Sequence, residues 1–231
     1  MIKRFTVLLL LVGLAAIFFS LALGYVPDGS LNQTARYYAE NTVSDTGATN
    51  IVTAIIVTYR GLDTLGEVTV LFLTAAIVGL VLTRGAEEGK GKPMLPSGEL
   101  LSTGSGLLVP LILLLGVYVF VNGHLTPGGG FQGGAILASG IMLILLTDPM
   151  RHFSHRLIGL IESVSGLVFI TVGILGIVLG AGFLDNSLLP KGTLGELFSA
   201  GTIPLVYSLI GLKVGAEFSS MLLSLSETEG S

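Results

Sequence analysis

Cysteine is absent from the 231-residue chain, and charged side chains make up only 11% of it. The absence of cysteine excludes disulfides, thiolate zinc sites, cysteine-ligated iron–sulfur clusters and thiol chemistry. A soluble globular domain usually carries charge on about a quarter of its residues. Because 51% of the residues are hydrophobic and the mean hydropathy is +0.87, a soluble fold of this size is excluded.

Basic residues are also few, with 11 Lys or Arg against 15 Asp or Glu and a net charge of -4 at pH 7. This balance gives no basic field for a phosphate backbone, so we expect no nucleic-acid partner. Without cysteine, a metal ion would need His or carboxylate ligands. His152 and His155 lie three residues apart, which is thin support for a metal site and fits side chains at a membrane interface. We expect no metal and no cofactor in this chain.

Long apolar runs dominate the sequence. A membrane-spanning helix needs about 20 mostly apolar residues, and the runs do not alternate polar and apolar residues as the strands of a membrane barrel do. The sequence therefore predicts an all-α integral membrane protein with six transmembrane helices. They lie at 5–24, 65–83, 100–122, 131–147, 157–180 and 201–224.

Basic residues predict the orientation of these helices. The loops and ends that carry most of the Lys and Arg alternate onto one side, and the positive-inside rule makes that side cytoplasmic. Both termini are therefore expected in the cytoplasm. The first run, 5–23, exceeds the roughly 7–15 apolar residues of a signal-peptide core, which favours a retained anchor over a cleaved signal.

A short linker rich in Gly, Pro and charge at 85–99 divides the chain into two predicted modules. Residues 1–84 form a two-span module, and residues 100–231 form a four-span module. The linker is expected on the cytoplasmic side. Between the first two spans, residues 50–59 are apolar but too short to cross, so they either lie flat at the outer interface or re-enter between helices.

Three charged groups, Arg60, Asp63 and Glu67, lie at the outer mouth of the second span. If Asp63 or Thr64 caps this helix, Glu67 falls in its first turn, where the helix dipole stabilises a carboxylate. Alternatively, Arg60 pairs with Asp63 or Glu67, and one carboxylate serves an ion path. Spacing alone leaves both interpretations open.

Three further charges lie inside predicted spans. Glu162 is about five residues into the fifth span, and Lys213 and Glu217 project from one face of the sixth, one turn apart. A Lys at bilayer depth costs roughly 3 kcal/mol or more, so such a residue faces protein or water. The pair is either a neutralising contact that helps assembly or a relay in which Lys213 and a carboxylate exchange partners.

A glycine-rich loop joins the third and fourth spans. Thr126 is a favourable N-cap and Pro127 a favourable first helical residue, so we expect the fourth helix to begin here. The glycines that follow expose first-turn amides to an anion or water, or they allow another helix to cross closely. The loop and its surroundings read His124, Leu125, Thr126, Pro127, Gly128, Gly129, Gly130, Phe131, Gln132, Gly133, Gly134.

This loop carries a family resemblance. The stretch from Val109 to Tyr118, followed by 122–134 with its Gly-Phe-Gln core, is similar to the B subunit of Mrp-type sodium/proton antiporters over most of 100–224. The resemblance implies a membrane subunit that works with other Mrp-type subunits in a large hetero-oligomer, exchanging Na+ and H+ across a prokaryotic plasma membrane.

The first module resembles a second part of the same machinery. Residues 50–70 are similar to the C-terminal region of the large Mrp A subunit, with Thr58 and Tyr59 where the family usually has Asp-Phe. That departure removes one family carboxylate and leaves Glu67 and Asp63. The fused layout resembles archaeal membrane-bound hydrogenase and sulfane sulfur reductase complexes, which implies iron–sulfur clusters and a metal centre in partner subunits.

The resulting hypothesis is a membrane subunit of a multisubunit antiporter-type module, coupled to a respiratory redox complex and without an active site of its own. The ion-path candidates, in order, are Glu67, Asp63, Lys213, Glu162, Glu217 and His124. The competing hypothesis is a purely structural subunit whose charges only assemble the complex. A stand-alone small channel is a third and weaker interpretation.

Overall fold

The computed structural model describes residues 2–25, 29–86, 97–149, 151 and 153–230. Over these residues the chain is helical and contains no β-strand. Six of its helices are long and apolar enough to cross a membrane, which confirms the predicted all-α class and the six spans. The orientation of the termini stays a prediction, and linker residues 87–96 lie outside the described part of the chain.

The helices are longer than the predicted runs at several ends. Between the long helices α1 and α4, a short α3 continues into a single π-helical segment, Ile55–Tyr59. A 3₁₀ turn, Asn186–Leu188, interrupts the loop before the last helix. The helices are α1 (Ile2–Gly24), α2 (Gln33–Thr46), α3 (Ile51–Ala54), α4 (Gly61–Ala86), α5 (Glu99–Val121), α6 (Gly130–Thr147), α7 (His155–Leu179) and α8 (Ile203–Gly230).

The chain divides into two compact units, one ending at Tyr37 and one beginning at Tyr38. The first unit contains α1 and the first residues of α2. The second contains the rest of α2 and every later helix, so α4 of the first predicted module and α5–α8 of the second belong to one unit.

Helix α8 lies at the centre of the second unit and packs against α4, α5, α6 and α7. Its buried side chains include Ile203, Val206, Ile210 and Val214, all no more than 1% exposed. Half of its span is buried within the protein, against 6% for α4 and 22% for α5. The outer helices therefore leave broad apolar faces for lipid or other subunits, while α8 is surrounded by its own chain.

Glycines allow α5, α6 and α8 to approach closely. A Cβ on Gly133 would lie 2.7 Å from the Gly116 carbonyl oxygen of α5. A Cβ on Gly134 would lie 2.8 Å from the Gly211 carbonyl oxygen of α8. These two neighbouring positions of α6 thus face two different helices, and neither has room for a side chain.

The predicted start of α6 was wrong. The helix begins at Gly130, with Gly129 at its N-cap, and Thr126 does not cap it. Instead, the Thr126 hydroxyl donates to the Asn122 carbonyl at 3.2 Å, because the chain turns through an irregular loop before α6. Gly128 in this loop has φ +149°, a conformation that favours glycine. This φ is not helical, so the helix cannot run on from Pro127 as we expected.

Of the two alternatives for the mouth of α4, capping by Asp63 or Thr64 is wrong. The helix begins at Gly61, so Asp63 lies in its first turn and Glu67 in the next. Thr64 does not cap the helix, because its hydroxyl donates to the Ile56 carbonyl at 2.7 Å. The π-helical segment before α4 disturbs the regular backbone pairing, and a side chain from the following helix satisfies one of its carbonyls.

The short apolar segment at 50–59 packs one side against the rest of the protein, while Val52 is 55% exposed. Thr53, Ala54 and Val57 are fully buried, and the segment belongs to the same hydrophobic cluster as Ile203 and Tyr207 at the start of α8. Of the two predicted placements, this burial between elements of the chain agrees with a re-entrant segment, whose backbone polar groups are satisfied by protein.

We expect the two classes of helical glycine to respond oppositely to alanine. Gly134→Ala forces a methyl group against the α8 backbone and should destabilise the folded chain by about 1–3 kcal/mol. Gly159→Ala is the matched control, because nothing lies within 4 Å of its Cβ position and alanine is the better helix former. Thermal unfolding in detergent, followed by circular dichroism, measures both; equal stability of the two variants would contradict close packing at Gly134.

Candidate ion-transfer site

The strongest electrostatic contact inside a span joins Lys213 and Glu217 on α8. The Nζ of Lys213 lies 2.7 Å from Oε1 of Glu217. The Glu217 side chain is fully buried and that of Lys213 is 11% exposed. The predicted i,i+4 pair is therefore formed, and it lies in the most enclosed helix of the chain.

The carboxylate of Glu217 is not fully satisfied by the described residues. Its second oxygen, Oε2, is buried and has no hydrogen-bond donor among them. A buried carboxylate oxygen without a donor is costly. Glu217 is therefore a group for which binding a proton or a cation would relieve an unfavourable state.

Lys213 faces a cleft between α4, α7 and α8. The cleft has a volume of about 370 Å³, and Glu162 of α7 lines it together with Lys213. The ammonium group lies 5.0 Å from the centre of the Phe72 ring of α4, within the range of a cation–π contact. Gly166 of α7 lies against the Lys213 side chain, leaving room for it. Two of the predicted candidates, Lys213 and Glu162, thus line one cleft, and a third, Glu217, is paired with Lys213.

The outer-mouth candidates lie in a different, more open pocket. Arg60 pairs with Asp63 through Nε and Oδ2 at 2.5 Å, and both side chains are more than half exposed. Of the two predicted partners of Arg60, the structure thus pairs it with Asp63. Glu67 is exposed and lines the same pocket, which has a volume of about 470 Å³. Such an exposed pair contributes little to stability.

His124 lies in neither pocket. It is fully buried, and its Nε2 lies 3.3 Å from the Glu196 carbonyl oxygen in the loop before α8. Burial lowers the pKa of His124 below its ordinary value of 6.5, and the nearby carbonyls of Glu196 and Val121 oppose this only partly. Its Nδ1 is buried without a hydrogen-bond partner among the described residues, and its place among the ion-path candidates stays a prediction.

The irregular loop around His124 is held by residues that precede α4. Backbone N–H groups of Thr49 and Asn50 both donate to the His124 carbonyl at 3.1 Å. The Asn50 amide donates to the carbonyls of Gly123 and Thr126 at 2.9 and 3.0 Å, and Thr53 donates to Gly123 at 2.6 Å. One segment of the first predicted module thus satisfies consecutive carbonyls of the second.

Asn50 and a second asparagine, Asn186, were missed by the sequence interpretation. The Asn186 amide donates to the Thr46 carbonyl at 2.8 Å, and its carbonyl oxygen accepts from the backbone N–H of Thr202 at 2.8 Å. An Asn directly before a short apolar helix is an N-cap signal, so Asn50 had a local sign of its role. Asn186 had none, because its partners are 140 and 16 residues away.

A last side-chain contact joins the start of α7 and the end of α8. The Nε2 of His155 lies 2.6 Å from Oε1 of Glu227, and both side chains are more than half exposed. His152 lies outside the described residues. Within the described part of the chain, no three His, Asp or Glu side chains are grouped in a way that would hold a metal ion.

The chain matches models of two families of membrane-complex subunits. A model described as a domain related to the MnhB subunit of Na+/H+ antiporters matches residues 100–220. The chain belongs to this MnhB-related family. A second model, MbhE of the MBH complex, matches residues 3–93 of this MnhB-related chain. An uncharacterised protein of Methanocaldococcus jannaschii is 29% identical over 203 residues, 77% of each chain.

Two solved structures share the fold. The MnhB-related chain matches one in the membrane-bound sulfane sulfur reductase, an archaeal respiratory membrane complex, with 37% identity and a TM-score of 0.82, covering 97% of this chain and 98% of that one. It also matches the Mrp complex from Dietzia sp. DQ12-45-1b with 26% identity and a TM-score of 0.73. There the match covers 96% of this chain but only 25% of the other.

We expect Asn50→Ala to loosen the glycine-rich loop. The substitution removes a helix cap and the donor of the Thr126 carbonyl, while the Gly123 carbonyl keeps its hydrogen bond from Thr53. It should destabilise the folded chain by about 1–3 kcal/mol. Asn122→Ala is the control, since that side chain makes one exposed hydrogen bond, to the Tyr118 carbonyl at 3.2 Å. Limited proteolysis and thermal unfolding measure the difference, and equal losses would contradict the role of Asn50.

We expect the loop at 122–129 to open more readily in acid. Because the folded-state pKa of His124 lies below 6.5, the unfolded state takes up the proton first. The contribution of His124 to the stability of the closed loop is therefore full above about pH 6.5 and declines below it. The equilibrium constant for loop opening rises by at most a factor of about ten per pH unit. Hydrogen exchange at pH 7.5 and 5.5, corrected for intrinsic rates, measures this. His124→Gln should remove the pH dependence; its persistence in that variant would assign it to another group.

Proposed function

We propose that this MnhB-related chain carries part of the ion path in a multisubunit Na+/H+ antiporter-type module. The observation that carries the proposal is the Lys213–Glu217 pair, which adjoins a cleft that Glu162 also lines. The family resemblance supports Na+ and H+ as the transported ions, and the buried charges support the choice of residues. The proposal gives the chain no active site of its own.

The energetic argument rests on what a buried ion pair costs. Two charges removed from water lose several kcal/mol of hydration each, and a well-packed apolar pair of similar size is often as stable or more stable. A pair kept for assembly alone would be best fully satisfied. Glu217 instead has an unpartnered Oε2, and Lys213 reaches the cleft and contacts Phe72. These features favour a group that changes its partner during transport.

Transport through such a site needs no covalent step. When Glu217 is ionised it holds Lys213 by charge. When it takes up a proton, the ammonium group is free to turn towards Glu162, which lines the same cleft. The Phe72 ring lies beside the lysine and would stabilise the cation between the two carboxylates. Each change of partner would move the Lys213 ammonium group within the cleft. The moved charge would alter the affinity of neighbouring carboxylates for a proton or a cation, and this would couple the movement of the two ions.

Asp63 and Glu67 have a separate role in this proposal. They line an open pocket next to the first turns of α4, where water and ions have access. Two exposed carboxylates beside Arg60 would raise the local cation concentration without binding a cation tightly. We therefore assign them to ion entry and assign the transfer step to Lys213, Glu217 and Glu162.

We further propose that the module is coupled to a respiratory complex. The match that covers nearly all of both chains is to a chain of an archaeal respiratory membrane complex, whereas this chain corresponds to only a quarter of the matched Mrp chain. That correspondence favours a separate small subunit of the respiratory type. Redox cofactors, including iron–sulfur clusters, would then belong to partner subunits, since this chain has no cysteine.

The double variant Lys213→Met/Glu217→Gln separates transport from assembly. Removing both charges leaves no unpaired ion, so the complex should assemble in normal yield. Ion exchange should fall by about 10- to 100-fold, which corresponds to roughly 1.4–2.8 kcal/mol of transfer barrier. The measurement is Na+-dependent proton movement in vesicles that contain the assembled complex, alongside the yield of purified complex.

The matched control is His155→Gln/Glu227→Gln, which removes a hydrogen-bonded pair of similar separation, 2.6 Å, between the exposed start of α7 and end of α8. It should leave exchange unchanged. If the double variant at 213 and 217 assembles and exchanges ions at the full rate, the chain is a structural subunit. If Glu162→Gln alone is silent while the double variant is impaired, Glu162 is not the second partner.

A further inference from the structure

A second cavity lies on the other side of α7 from the charged cleft. It has a volume of about 260 Å³ and is lined by side chains of α5, α6, α7 and α8 together with Phe153. Helices α6 and α7 each pack on α8 but make few contacts with each other within the described residues. Their separation leaves a groove, and α8 forms its floor through small residues such as Gly215, Ala216 and Ser219.

The floor of this groove has no side-chain donor free to bind water. Ser219 is its polar side chain on α8, and its hydroxyl already donates to the Gly215 carbonyl at 2.6 Å. All the other side chains that line the groove are apolar. A groove without free polar partners does not hold ordered water, so its natural occupant in a bilayer is a hydrocarbon chain.

The dimensions and position of the groove agree with such a chain. Its floor runs from Leu212 to Ser219, which is roughly 10 Å of helix at about 1.5 Å per residue. One leaflet of the hydrocarbon core is about 15 Å thick. The groove thus covers most of one leaflet, and it lies towards the end of the bundle where α6 ends and α7 begins.

Basic residues flank that end of the groove. Phe153 lines the groove, and the exposed side chains Arg151 and Arg156 lie two residues before it and three after it. Asp148 is the nearest acidic residue along the chain, and Glu227 is engaged by His155. Because Arg binds phosphate through paired N–H groups, a headgroup at this end would be held by an anionic phosphate.

We propose that the groove between α6 and α7 binds one anionic phospholipid, with an acyl chain along α8 and the phosphate at Arg151 and Arg156. The basic residues predict this side to be cytoplasmic, where anionic lipid is attracted by clustered Lys and Arg. The groove shares no lining residue with the charged cleft.

The chain contains no tryptophan, so a single introduced indole reports on the lipid beside it. Leu157→Trp places it at the edge of the groove. Leu160→Trp is the matched control, because Leu157 and Leu160 are 57% and 59% exposed and Leu160 does not line the groove. Leu160 also lies one turn after Arg156, so it would report any general enrichment of anionic lipid around that charge.

The experiment compares quenching of each indole by brominated phosphatidylglycerol and brominated phosphatidylcholine, in nanodiscs that contain the full chain. At position 157 we expect about a fivefold preference for the anionic lipid, as about 1 kcal/mol for one basic residue implies. Position 160 should show no preference. Arg151→Gln/Arg156→Gln should abolish the preference at 157.

Several results would overturn the proposal. These are equal preferences at 157 and 160, a preference that survives loss of both arginines, or protection of position 157 from lipid in the assembled complex, which would assign the groove to a neighbouring protein. If Leu157→Trp does not fold, native mass spectrometry of the unsubstituted chain decides. One anionic lipid that is retained by the unsubstituted chain and lost from Arg151→Gln/Arg156→Gln supports the site. Absence of a retained lipid from the unsubstituted chain refutes it.

Discussion

The ion pair between Lys213 and Glu217 constrains the arrangement of the helices around it. A charged pair inside an apolar region is tolerated only where protein surrounds it, and α8 is accordingly the most buried of the six spanning helices. Glycines on α6 let that helix contact the α8 backbone directly. On the other side, Gly166 of α7 leaves space for the lysine to reach the cleft. The α8 helix is thus closely packed on the side of α6 and leaves open space beside the lysine on the side of α7.

The same requirement, that polar groups find partners within the protein, explains the loops. Where the backbone leaves helical geometry between α5 and α6, its carbonyls accept from Thr49, Asn50 and Thr53. The segment at 50–59 is therefore both a part of the first predicted module and a support for the glycine-rich loop of the second. This shared hydrogen bonding gives a physical reason for finding the two parts in one chain.

Much of the fold follows from the sequence because long apolar runs have a single stable form in a bilayer. The Lys213–Glu217 contact was also predictable, since i,i+4 spacing on a helix requires proximity. The starts of α4 and α6 were not. Thr64 and Thr126 are good caps by local rules, yet their hydroxyls donate to the Ile56 and Asn122 carbonyls. Local propensity gives way where a nearby irregular backbone competes for the same donor, and the contacts of Asn186 with Thr46 and Thr202 depend on tertiary structure alone.

The two cavities of the bundle are linked through α7. Ile161 lines the apolar groove and Glu162, the next residue, lines the charged cleft. A displacement of α7 relative to α8 therefore changes both spaces at once, narrowing one as it widens the other. Because packed helices move as rigid bodies and not by continuous deformation, an occupant of the groove would, under the proposed ion path, also change the space between Lys213 and Glu162. A lipid or protein bound on the apolar side of α7 would in this way act on ion transfer without contacting an ion.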